Sequence, residues 1–128
     1  MKLSDAFTMG VPPKYDVPHL FFVISDPILH DGCFVILNIT KDYIRAGREC
    51  VLQIGDHPWI KAESYMTFRD ARIITPELEA SLLSLIGKEV RIERPLSANV
   101  LQRIVGVAKK TRSLAPIFKK YLYPPGLA

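Results

Sequence analysis

An α+β fold, with a β-barrel-like core followed by a helical tail, is the class this sequence predicts, and three observations carry the prediction. Short apolar segments of strand length follow one another between residues 19 and 74, separated by turn signals and by no helix, which favours a barrel or sandwich over a parallel sheet. Helical periodicity begins only at Thr75. The chain has 128 residues, 48% of them hydrophobic and 23% charged, enough for one domain around one core and unlike the composition of a disordered chain.

The elements follow in order. Residues 1–18, with Gly10, Pro12, Pro13 and Pro18, show no sustained period and read as an extended arm before a single domain of residues 19–128. His19 to Ile24 is an apolar run closed by Asp26-Pro27, since the residue before proline avoids helical geometry. After the turn His30-Asp31-Gly32, Cys33 to Ile39 is the next strand, rich in β-branched and aromatic residues. Lys41 to Arg48 is a polar loop, Glu49 to Ile54 a third strand, and Gly55-Asp56-His57-Pro58 a sharp turn. Ser64 to Phe68 and Ala71 to Ile74 complete the set. Thr75-Pro76-Glu77 is a helix start, with a capping hydroxyl, proline at the first helical position and acids at the positive end of the dipole. Leu78, Leu82, Leu85 and Ile86 share one face of that helix, and Gly87 suits its end. Lys88 to Glu93 reads as a short strand with Val90 and Ile92 inward. Ser97 opens a helix with Val100, Leu101, Ile104, Val105 and Ala108 on one face, and Pro116 starts a last short helix, so that 97–123 forms a helical tail.

Charge is divided unevenly. Residues 1–93 carry a net −3, whereas residues 94–128 carry +7 and no acid. A basic tail of this kind attracts polyanions, although the same charges also suit the solvated face of a helix. No apolar run is long enough to span a bilayer, and the N-terminal residues lack a signal-peptide pattern. Two cysteines, Cys33 and Cys50, imply no disulfide framework, so a cytoplasmic location without membrane contact is the expectation. His19, His30 and His57 have no partner at metal-ligand spacing, and there is no phosphate loop, nucleophile elbow or dinucleotide fingerprint. Neither a metal nor a cofactor is therefore expected.

The residues left to carry chemistry lie at strand ends and turns, where function collects on a rigid scaffold. They are His19, Thr40, His57, Ser64, Tyr65 and Arg72. Each also has a purely structural reading, from strand end to turn closure to surface charge.

His19-Leu-Phe-Phe-Val-Ile-Ser25, Phe34-Val-Ile-Leu-Asn-Ile-Thr40 and Glu63-Ser-Tyr-Met-Thr-Phe-Arg-Asp-Ala-Arg-Ile73, followed by a helix after Thr75-Pro76, together resemble the PemK/MazF family of toxin endoribonucleases. The likeness spans roughly residues 19–110 in the order and character of the segments. It implies a small SH3-like barrel with appended helices, commonly a homodimer, that cuts single-stranded RNA without metal and is neutralised by an antitoxin, here an acidic protein. By the same resemblance Thr40 corresponds to the catalytic threonine and Ser64 to the serine of a "DSV" segment. The arginine that precedes the proline in the family is replaced by the order Pro18-His19, and Gly55-Asp-His-Pro-Trp-Ile60 has no counterpart there.

Metal-free RNA cleavage needs a base for the 2′-hydroxyl, an acid for the leaving oxygen and positive charge at the phosphate. His19 and His57 suit the first two roles, Arg72 the third, with Thr40 or Ser64 positioning the phosphate. Trp59 and Tyr65 suit base stacking, and Trp59-Ile60 equally suits the core. The alternative is a non-catalytic barrel that holds nucleic acid or peptide; a third reading is an assembly protein whose tail docks an acidic partner. The ribonuclease reading expects His19 and His57 to converge on one cleft with Thr40, the binding module an open groove lined by aromatics with the histidines apart, and the assembly protein an exposed apolar patch on the tail helices.

Overall fold

The structure, a computed structural model, describes residues 1–127. Its centre is a hairpin of β1 (Ala6–Val11) and β2 (Lys14–Val23), paired from Ala6↔Phe22 to Val11↔Lys14. Next to β2 runs β3 (Phe34–Thr40). Leu20 to Val23 and Phe34 to Ile39 are buried at every position, because both faces of these strands are covered, and that is why they read as continuous apolar runs rather than as alternations. One face joins Leu20, Phe22, Leu37 and Ile39 in the larger core; the other joins Phe7, Phe21, Phe34 and Ile36 in a smaller one.

The outer edge of β3 is shared. Its first half, Phe34 to Ile36, pairs with β6 (Arg72–Ile74), and its end, Ile39 and Thr40, pairs with β5 (Ser64–Met66). Beyond β5 lies β4 (Val51–Leu52), and beyond β1 lies β7 (Arg91–Glu93). The result is a mixed α+β domain with a seven-stranded antiparallel sheet of order β4-β5-β3-β2-β1-β7, β6 standing beside β3 off that path. Among the described residues no ladder joins the two ends, so the sheet is open where a closed barrel was expected. The reason is local. β4 has two residues and β7 three, and the chain leaves the ladder at Gln53 for the turns that lead to His57.

The larger core is capped by α3 (Ala98–Lys110), which buries Val100, Ile104 and Ala108. Ser97 caps it, its hydroxyl accepting from the Val100 amide at 3.3 Å. The smaller core is covered less completely. There α2 (Pro76–Ser84) begins at the capping hydroxyl of Thr75 and buries no residue outright; Leu82 and the following Leu85 only lean on the core. Leu78 and Ile86, expected on its inner face, are exposed.

Three further elements differ from the sequence reading. The segment 1–18 is extended as expected, but it is paired, and β1 lies between β2 and β7 as an interior strand of the sheet. Periodicity missed it because prolines and glycine interrupt the pattern just where the hairpin turns. The loop 41–48 holds a single helical turn, α1 (Tyr43–Ala46), capped by Asp42. Val90 is buried as expected, whereas Ile92 is 54% exposed on an edge strand, where it lines a cleft. The tail closes with α4 (Pro116–Lys119) and is tied back by His30, whose Nε2 lies 2.8 Å from the Tyr123 carbonyl. No helix among the described residues is long and apolar enough to cross a membrane.

Candidate nucleic-acid interface

The three histidines are used differently, and the difference locates the candidate site. His30 is anchored to the tail. The His57 ring is 3% exposed and both its nitrogens are engaged. Nδ1 accepts the Trp59 amide at 3.0 Å, which fixes the proton on Nε2, and Nε2 donates to the Arg94 carbonyl at 2.5 Å. The ring edge packs on Phe22, centroids 5.6 Å apart. His19 alone has no side-chain hydrogen bond or ion pair among the described residues, and it is half-buried at the rim of a cleft.

That cleft, about 410 Å³, forms where the smaller core gives way to polar side chains. His19, Phe21 and Val23 lie on one face of β2, and Asn38 and Ile36 continue it on β3, because residues directly paired across an antiparallel ladder share a face. Arg72, paired with Ile36, joins the same face from β6. Its guanidinium is exposed and free of any acid among the described residues. Arg45 of α1 closes one side through a 2.7 Å ion pair with Asp70, and Lys14 enters from the hairpin tip. Three cations, Lys14, Arg45 and Arg72, face the one carboxylate of Asp70, so the cleft favours an anion.

Sequence reasoning named His19 and Arg72 and missed Lys14, Asn38, Arg45 and Asp70. Asn38 did leave a signal, as the single polar residue inside the run Phe34 to Ile39. It is 9% exposed, and its Oδ1 accepts the Thr67 hydroxyl at 2.8 Å. Lys14 and Arg45 left none, since each lies in a segment without periodicity.

His19 and His57 do not converge, contrary to expectation. His57 lines a different and larger cleft, about 840 Å³, together with Trp59 and Ser64. The physical cause is the alternation of β2: His19 belongs to the face of Phe21, whereas His57 packs on Phe22, on the opposite face. Thr40 ends β3 between them. Its hydroxyl accepts the amide of Asp42, the residue that caps α1, at 3.1 Å, and it lines neither cleft. Ser64 is buried, with its hydroxyl on the Ala62 carbonyl at 2.9 Å. Tyr65, expected to stack on a base, is 5% exposed. Its hydroxyl donates to Glu63, a contact that raises the phenol above its ordinary pKa and lowers that of the carboxyl, which Gln53 also bonds. The neighbouring Tyr43 is the exposed ring, with the Arg48 guanidinium 4.1 Å above it. Among the described residues no three histidine, cysteine or acidic side chains gather as metal ligands would.

No protein-family model matches the chain, and no curated protein matches it.

Proposed function

We propose that the protein is a metal-independent endoribonuclease built on a divergent SH3-like barrel of the PemK/MazF type, with the cleft of His19 and Arg72 as its active site. The observation that carries the reading is the unpartnered His19 ring at the edge of a cleft that holds Arg72, Arg45 and Lys14. The pairing of β3 with β2, β5 and β6, and the capped helix that follows β6, support an open variant of that barrel.

In this reading the scissile phosphate lies on Arg72. His19 takes the proton of the adjacent 2′-hydroxyl, and that oxygen attacks phosphorus. The 5′-oxygen leaves with a proton from Lys14, and a cyclic phosphate remains. Arg72 contributes because its charge is not already neutralised, while Arg45 is spent on Asp70 and shapes the wall. His57, with both nitrogens engaged, holds structure instead of moving protons.

By the same resemblance the protein is the toxin of a toxin–antitoxin pair. It acts as a homodimer in the cytoplasm and is neutralised by an acidic antitoxin. The test is incubation of a long single-stranded RNA with purified protein in EDTA, beside the same sequence carrying 2′-deoxyribose. Cutting of the RNA alone, leaving cyclic phosphate ends, is expected. Tight binding of both polymers with no cutting would instead mark a non-catalytic nucleic-acid-binding barrel.

A further inference from the structure

We propose that the larger cleft, walled by Trp59, is a second binding site for single-stranded nucleic acid that holds nucleotides flanking the reactive cleft. The inference rests on the nucleic-acid reading above and adds a site to it. Three cations line this cleft, Lys41, Lys61 and Arg94, and none has an ion pair or side-chain hydrogen bond among the described residues. The acid beside them, Glu93, is occupied by the Thr8 hydroxyl at 3.0 Å. Trp59 is partly buried: it packs against the larger core and also lines the cleft.

A flat indole among unpaired cations matches a polymer that alternates a flat ring with a phosphate. An acidic peptide would use the charges and leave the indole without a partner of its own kind. The wall is also rigid before anything binds. His57 takes the Trp59 amide, the Ile60 amide returns to the His57 carbonyl at 3.0 Å, and Asp56 is held by Arg103 of α3 at 2.5 Å. A preformed wall loses little freedom on binding. The two clefts approach each other only at the end of β3: Lys41 of the larger cleft directly follows Thr40, and the same strand carries Asn38 into the His19 cleft, so a strand of nucleic acid that fills both passes around that end.

Trp59 is the only tryptophan in the chain, so its fluorescence reports this cleft alone. The intact protein is titrated with a dye-labelled oligothymidylate of about eight nucleotides, a length within the usual range for one binding fold. The probe has no 2′-hydroxyl and so cannot be cut. Dye anisotropy measures binding and Trp59 emission locates it. Saturable quenching that follows the anisotropy is expected. A Lys61→Ala/Arg94→Ala double variant, both sites exposed and the fold checked by circular dichroism, is expected to bind at least about tenfold more weakly at low salt, with a salt slope shallower by about 1.4. Anisotropy with unchanged Trp59 emission and an unaffected double variant would overturn the second site while leaving the nucleic-acid reading intact. Absence of any anisotropy change would overturn both. Quenching by polyglutamate and not by oligothymidylate would overturn the proposal in favour of an acidic protein partner.

Discussion

At the scale of single residues, what separates a working histidine from a structural one is whether its nitrogens are free. Replacing His57 with Ala leaves the Trp59 amide and the Arg94 carbonyl without partners and opens a void beside Phe22. The expected loss is about 2–4 kcal/mol in urea unfolding. Replacing the half-buried, unbonded His19 with Ala is expected to change stability by less than about 0.5 kcal/mol. Cys50 tests burial differently. Desolvation, partly offset by Arg103, pushes its thiol up from 9.0 to about 11. The unfolded chain therefore loses the proton first, so the stability contributed by the neutral thiol is complete below about pH 9 and is lost as pH rises to about 11. That loss amounts to about 3 kcal/mol. A Cys50→Ala variant is expected to show a flatter stability profile across that window in denaturant titrations. An unchanged slope would mean that the thiol is not shielded.

At the scale of elements, the hairpin and the turn around His57 build the two clefts. The hairpin depends on Gly10, where a Cβ would fall 1.8 Å from the Tyr15 carbonyl oxygen. A Gly10→Ala variant must push β1 and β2 apart at the bulge beside Val11, at a cost of about 2–3 kcal/mol. Since Lys14 and the tip belong to the His19 cleft, RNA cleavage is expected to fall further than stability alone explains, as measured at a temperature where the variant remains folded. The other turn is joined to α3 through Asp56. Burial there works against the carboxylate, but the bonds from Arg103 and the Gln53 amide outweigh it and hold its pKa below the ordinary value. The ion pair thus contributes at neutral pH and is lost as acid protonates Asp56. An Arg103→Ala variant is expected to lose the corresponding part of its acid sensitivity in unfolding titrations.

At the scale of the whole molecule, the sequence made the interior legible and the edges opaque. The runs 20–24 and 34–39, the capped helices at Thr75 and Ser97 and the buried face of α3 follow from hydrophobic burial and capping, which act locally and leave a period. The hairpin partner β1, the turn α1 and the exposed side of α2 are decided by which surface remains to be covered, and no window of sequence holds that information. The same division runs through the site. His19 and Arg72 were found because they border apolar strands, whereas the separation of His19 from His57 depends on which face of β2 each meets. The sheet that results is open, with a cleft on either face of its central strands. The proposed activity assigns the chemistry to one of them and substrate holding to the other.

That division of labour is tested most directly by measuring RNA cleavage in EDTA for the wild-type protein, His19→Ala and His57→Ala at a temperature where all three are folded. The expected result is loss of at least about a hundredfold for His19→Ala, the scale of one acid–base group, and a much smaller change for His57→Ala. Equal activity of His19→Ala and wild type, or a larger loss for His57→Ala, would contradict the assignment of the chemistry to the His19 cleft.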